Sequence, residues 1–182
     1  YATFKLTTAF PGMPIYIVFI LSGLITSAVG VLFGLPSLKI KGFYLAVATL
    51  AAQFFLIWLF TRVEWFYNYS PTGQISMPER SMFGVIITGA SASSTAVYFT
   101  CLVFTVAMAW LARNLTRGTM GRTWMAIRDM DIAAEIIGVN PLTAKLSSFA
   151  VSSFFVGVAG ALTFGVYLGA AEAGEAFSIN KS

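Results

Sequence analysis

The sequence predicts an all-α, polytopic transmembrane helix bundle with about four spanning helices and one amphipathic helix outside the lipid. The first observation is composition: of 182 residues, 58% are hydrophobic and 10% are charged, and the mean hydropathy is +0.82. Soluble domains carry about 25% charged residues. The second observation is a set of long uncharged runs, and the third is a charged, helix-forming segment between the last two of them.

Each uncharged run is long enough to cross a bilayer as a helix. A hydrocarbon core of about 30 Å needs roughly 20 apolar residues in helical conformation. The runs cover residues 15–34, 43–60, 95–112 and 146–171. The first run is rich in small residues, and so is the last, which includes Ser152 and Gly157. Small residues let helix backbones approach closely, so these two helices are expected to pack tightly on neighbours.

The segment between the second and third runs is the most polar and turn-rich part of the chain. Residues 63–80 contain Pro71, Gly73 and Pro78, which indicate a loop. The aromatic cluster at 65–69 is typical of a membrane interface. Residues 82–94 are apolar but interrupted by small polar residues, and we expect a short or re-entrant segment there.

The distribution of charge predicts which side of the membrane each connector faces. With four crossings, seven basic residues lie on one side and four on the other. The basic excess marks the first side as cytoplasmic. That side holds the connectors at 35–42 and 113–145, and therefore the amphipathic segment as well.

Several kinds of chemistry are missing from the sequence. There is no His, and Cys101 is the single Cys, so a Cys/His metal site lacks ligands and a disulfide within the chain is excluded. No P-loop or Gly-x-Ser-x-Gly motif occurs. None of the seven carboxylates lies in the middle of a candidate membrane-spanning run. Proton-coupled carriers usually need an ionisable group there. We therefore expect no catalytic, cofactor or metal residues, and neither a membrane enzyme nor a self-powered antiporter.

The segment 121–138 combines an apolar stripe with unbalanced charge. Trp124, Ile127, Ala134 and Ile137 recur at nearly helical spacing, and Met125, Ile132 and Ile136 form a neighbouring stripe. Arg128 and Asp131 attract at i, i+3, whereas Asp131 and Glu135 repel at i, i+4. Charges unmatched within a helix can face a partner protein. The alternatives are a solvated face and a helix lying on lipid headgroups, although the latter is usually Lys-rich.

The same segment and its flanks resemble the permease subunits of ABC importers for branched-chain amino acids. The pattern GR…AIR…IAAE…G…KL..F..S…G.AGAL begins at Gly121 and ends at Leu162. Upstream, LKIKGFYLAVATLA resembles the family's basic connector and following helix, and downstream EAGEAFSI resembles its next segment. The resemblance covers residues 24–62 and 113–179. It implies one transmembrane permease domain over residues 1–182, expected to be incomplete, with a cytoplasmic coupling loop at 113–142.

The resemblance also implies function and partners. The chain would be a non-enzymatic permease subunit in a bacterial-type plasma (inner) membrane, with ATP hydrolysed by separate ABC ATPase subunits. A second permease subunit, a periplasmic solute-binding protein and membrane lipid would be further partners, and nucleic acid would not. Residues 122–138 would form the coupling helix, which transmits closure of the ATPases as a rigid-body movement. The residues implied in coupling are Arg122, Arg128, Asp131, Glu135 and Gly138.

Two polar residues in the second run are candidates for the translocation path. Thr49 and Gln53 are spaced i, i+4 and share one helix face. Polar groups in a spanning helix favour a cavity or a helix contact, so interhelical hydrogen bonding is the competing interpretation. Three alternative functions also remain open: a permease for urea or short amides, a self-contained channel or secondary carrier, and a membrane scaffold that recruits a soluble protein.

Overall fold

A computed structural model describes residues 1–39, 43–66, 68–69, 74–82, 85–88, 92–130, 134, 136 and 138–172. Its longer helices are α2 (Ile15–Lys39), α3 (Phe43–Arg62), α4 (Ser94–Arg117) and α6 (Pro141–Leu162). Two shorter helices, α1 (Ala2–Ala9) and α5 (Thr119–Asp129), precede α2 and follow α4. The strands are β1 (Gln74–Ser76), β2 (Ser81–Met82), β3 (Val85–Ile86) and β4 (Ala170–Glu172), and a π-helix (Thr163–Leu168) continues α6.

The predicted polytopic helical fold is confirmed. Within the described part of the chain, three helical segments are long and apolar enough to cross a membrane: Ile15–Leu35, Ser94–Arg117 and Pro141–Leu168. The remaining predicted crossing falls on α3, whose Val47–Arg62 part is a shorter apolar helix. In lipid every backbone polar group needs an internal partner, which is why uncharged runs of this length form helices. The chain is therefore a multi-pass membrane protein.

The core of the bundle is the antiparallel pair of α2 and α6. Gly30 of α2 lies so close to Ser153 that an added Cβ would overlap its side chain. One turn further along the contact, a Cβ on Gly157 would lie 2.6 Å from Thr26 Cβ and 2.9 Å from Gly23 Cα. The Ser27 hydroxyl also donates to the Ala150 carbonyl across the helices at 2.7 Å. The small residues of the two runs therefore have the packing role that the sequence predicts.

The end of the bundle that holds the α2 N-terminus is closed by α1 and a small sheet. The Thr3 and Ser22 hydroxyls are hydrogen-bonded at 2.8 Å, which fixes α1 on α2. Arg80 Nη2 donates to the Thr7 carbonyl at 2.9 Å, at the C-terminal end of α1. Strands β1 and β4 pair antiparallel, with Ile75 opposite Ala171. These contacts place α1 and the loop after α3 at the same end, opposite α5.

The structure adds detail for residues 82–94 and corrects the expected end of the last apolar run. Among the described residues of 82–94, the structure has no helix before α4; instead β2 and β3 pair antiparallel, with Met82 opposite Val85. The last apolar run does not stay α-helical to its end. It continues as a π-helix after Leu162 and as a strand after Gly169. The π-helix buries Phe164 and Val166 in the core that contains Phe19, so tertiary packing accompanies the wider turn.

Candidate coupling surface and membrane cleft

Helix α5 begins at a tight junction with α4. Gly118 ends α4 and precedes α5, and its N–H donates to the Asn114 carbonyl at 3.1 Å. Gly121 is buried against the last turn of α4, where an added Cβ would overlap the Thr116 carbonyl group. Gly121, the first residue of the pattern that resembles the permease family, is therefore required because two backbones approach closely there. It fixes the angle at which α5 leaves the membrane-spanning helix.

The prediction of one continuous helix over 122–138 is wrong. α5 runs from Thr119 to Asp129, and Met130 leaves helical geometry with φ −149° and ψ 89°. A second helical stretch contains Ala134, whose N–H donates to the Met130 carbonyl at 3.0 Å. This stretch ends at Gly138, which has φ +88°.

Gly138 ends its helical stretch in a Schellman-type motif, as its position in the sequence predicts. The Val139 N–H donates to the Ala134 carbonyl at 3.0 Å, five residues back, which is the bond that defines the motif. The left-handed φ of Gly138 is one that a residue with a side chain rarely adopts. The Asn140 side chain then accepts from the N–H groups of Leu142 and Thr143 and caps α6.

The inner face of the segment 119–138 packs on the first turns of α6. Ile127 and Ala134 are buried together with Ala144 of α6, and Trp124 and Val139 pack around them. Trp124 Nε1 also donates to Ser147 Oγ at 2.8 Å. The predicted stripe of Trp124, Ile127 and Ala134 is thus an internal contact, while Ile137 lies outside the described residues. The packing attaches the segment to the helix that follows it.

The outer face of the same segment is exposed and mixes apolar with basic side chains. Met125, Met130 and Ile136 are exposed, Ile136 to 81%. Arg122 and Arg128 of the same segment are exposed as well. Arg128 Nε bonds Asp129 Oδ1 at 3.0 Å, with the two side chains 77% and 63% exposed. Asp131 and Glu135, which the sequence predicts to contact a partner protein, lie outside the described residues. We call Arg122, Met125, Arg128, Met130 and Ile136 the outer patch.

A separate cleft of about 650 Å³ lies between α2, α3 and α6. Thr49 and Gln53 both line it, as their shared helix face predicts. Polar side chains from the other two helices, Thr26, Ser152 and Ser153, also line it. The Thr26 hydroxyl donates to the Ser22 carbonyl of its own helix at 2.9 Å. The sequence does not indicate that Ser152 lines this cleft, because in a Gly/Ser-rich helix it is indistinguishable from a packing residue.

Comparisons with known proteins agree with this architecture. A family model described as "Branched-chain amino acid transport system / permease component" matches residues 1–179. The high-affinity branched-chain amino acid transport system permease protein LivM of Salmonella typhimurium is 28% identical over 180 residues, and that of Escherichia coli is 27% identical. Each alignment covers 88% of this chain, which spans 42% of the length of each relative. No solved structure matches significantly.

Proposed function

Because this chain belongs to the family of branched-chain amino acid transport system permease components, we propose that it is a permease subunit of an ABC importer. It moves branched-chain amino acids across a bacterial inner membrane. Energy comes from separate ATPase subunits, a periplasmic solute-binding protein delivers the solute, and a second permease subunit completes the path. The LivM relatives, of whose length this chain spans 42%, are permease proteins of high-affinity branched-chain amino acid transport systems, which supports this proposal.

The observation that carries this proposal is the two-faced segment 119–138. Its inner face is fixed to α6 by Ile127 and by the bond from Trp124 to Ser147, so a force on the segment reaches a spanning helix directly. Its outer patch presents apolar side chains next to arginines, a composition that favours a protein interface over a solvated surface. A helix on lipid headgroups would bury these apolar residues equally well. The resemblance of this segment to the coupling loop of ABC importer permeases supports an ATPase as the partner instead.

Coupling in this proposal is a rigid-body movement of the segment with α6. Arg122 and Arg128 contact the ATPase, together with Asp131 and Glu135, and Gly138 sets the turn that returns the chain to α6. Closure of the ATPases on ATP would push the outer patch, and the tight α2–α6 contact would carry the displacement into the bundle. The basic excess at this end favours a cytoplasmic location.

The cleft between α2, α3 and α6 is the part of the translocation path that this chain contributes. Thr49 and Gln53 supply polar groups, and Val29, Phe33 and Val156 supply apolar wall. A purely polar solute such as urea gains nothing from this apolar wall, so the cleft favours an amino acid with an aliphatic side chain.

Reversal of charge on the outer patch tests the proposal. Arg128→Glu in the importer assembled with its ATPases is expected to weaken their association at least about tenfold, because like charges brought together at an interface cost several kcal/mol. Uptake of labelled leucine falls with it. Arg62→Glu, at an exposed residue that ends α3 at the opposite end of the bundle, makes the same change in charge and is the control that retains ATPase association. Asp131→Lys with Glu135→Lys extends the test to the acidic residues. Unchanged assembly and uptake in every outer variant would refute the coupling role.

A further inference from the structure

Two polar side chains on opposite walls of the cleft lack a hydrogen-bond partner in the described part of the chain. They are Gln53 of α3 and Ser152 of α6, and both are exposed at the cleft surface. The other serine of this wall, Ser153, faces Gly30 at the α2–α6 contact. Within a hydrocarbon layer, an unsatisfied amide or hydroxyl is unfavourable unless water, a solute or another helix supplies a partner. The position of Gln53 and Ser152 therefore indicates a polar occupant between α3 and α6.

The other residues that line the cleft limit the charge and polarity of this occupant. Val29 and Phe33 of α2 and Phe149 and Val156 of α6 are apolar, and none of the described residues that line the cleft is charged. A net-neutral solute is compatible with such a wall, whereas an ion would be left without a counter-charge. A volume of about 650 Å³ lies in the range of small-molecule sites. A solute with one polar and one aliphatic end matches both kinds of wall.

We propose that Ser152 is a substrate-contacting residue that acts with Gln53 across the cleft on the head group of a zwitterionic amino acid. This inference rests on the proposed function. The Ser152 hydroxyl and the Gln53 amide N–H donate to the α-carboxylate, and the Gln53 carbonyl accepts from the α-ammonium. The aliphatic side chain of the solute contacts Phe33, Phe149 and Val156. A lipid acyl chain would fill the apolar wall but would leave both polar groups unsatisfied.

Cysteine accessibility tests this assignment in the importer reconstituted in proteoliposomes. Native thiols, Cys101 included, are first replaced, and Ser152→Cys is then treated with a water-soluble methanethiosulfonate. We expect leucine to slow this labelling. Glutamate, which carries a net charge, should leave the labelling rate unchanged. Gly160→Cys is the control on the same helix: it is exposed, has no atom within 4 Å of its added Cβ and lies outside the cleft wall. Leucine leaves its labelling rate unchanged.

Transport kinetics supply a second measurement. Ser152→Ala removes one hydrogen bond, so the KM for leucine is expected to rise about threefold to tenfold while the melting temperature of the subunit stays unchanged. If only a lipid-soluble maleimide labels Ser152→Cys, the cleft faces lipid and the inference is overturned. Labelling without leucine protection, with KM unchanged, also overturns it. If the unmodified importer transports no leucine, the proposed function itself fails, which separates the two results.

Discussion

Gly157→Leu is expected to prevent formation of a stable, assembled subunit. A side chain at this position starts with a Cβ 2.6 Å from Thr26 Cβ and 2.9 Å from the Gly23 backbone, so α2 and α6 must separate. Overpacking of a close contact costs about 1–3 kcal/mol, and the cost is higher where backbone blocks relaxation. The melting temperature of the detergent-purified subunit should fall, and the yield of complex should fall with it.

Gly160→Leu is the matched control, because it makes the same change in residue type, volume and helix propensity three residues away. Nothing lies within 4 Å of a Cβ at Gly160. This variant should fold and melt like the unmodified subunit. Equal melting temperatures for the two variants would show that the α2–α6 contact does not determine the stability of the bundle.

Gly121→Ala is expected to uncouple ATP hydrolysis from transport while the spanning helices remain folded. The added methyl group would overlap the Thr116 carbonyl, which is backbone and cannot rotate away. α5 must then leave α4 at a different angle, and the outer patch moves with it. Small misplacements of a functional group cost on the order of 100-fold in activity. Leucine uptake per ATP hydrolysed should therefore fall sharply in proteoliposomes.

The control for Gly121→Ala is Gly118→Ala, a gain of one methyl at the other glycine of the same junction. Its Cβ would lie 3.3 Å from the Asn114 carbonyl oxygen, and its φ of −76° is accessible to alanine. We expect leucine uptake per ATP hydrolysed to fall less in Gly118→Ala than in Gly121→Ala. If Gly121→Ala transports normally, the orientation of α5 is not set by this backbone contact.

The spanning helices could be predicted from sequence because lipid permits few alternatives. An uncharged run of about 20 residues has to satisfy its backbone internally, which fixes both the element and its approximate ends. The shared face of Thr49 and Gln53 follows from the same helical geometry. Gly138 carries a local signal for a helix end, and the structure has that end there. Such features depend on neighbours in the chain.

The features that were missed depend on contacts between distant residues. α5 starts at Thr119 because Gly121 allows α5 to lie against α4, and nothing in a basic connector signals that contact. No Pro or Gly marks the helix break at Met130. The π-helix after Leu162 accompanies packing on Phe19 from the other end of the sequence. Ser152 became a candidate only when α3 was placed opposite α6.

In the proposed function the outer patch faces the cytoplasm, where ATPase subunits reach it. The most direct measurement is labelling of Met130→Cys, which is 68% exposed in the unmodified chain, with a membrane-impermeant maleimide in a thiol-free background. Tyr69→Cys, equally exposed in the loop at the opposite end of the bundle, serves as the reference. In right-side-out membranes Tyr69→Cys should react and Met130→Cys should not; in inside-out vesicles Met130→Cys should react, and bound ATPase should protect it. Reaction of Met130→Cys from the outer side would contradict the cytoplasmic location of the outer patch and the proposed function with it.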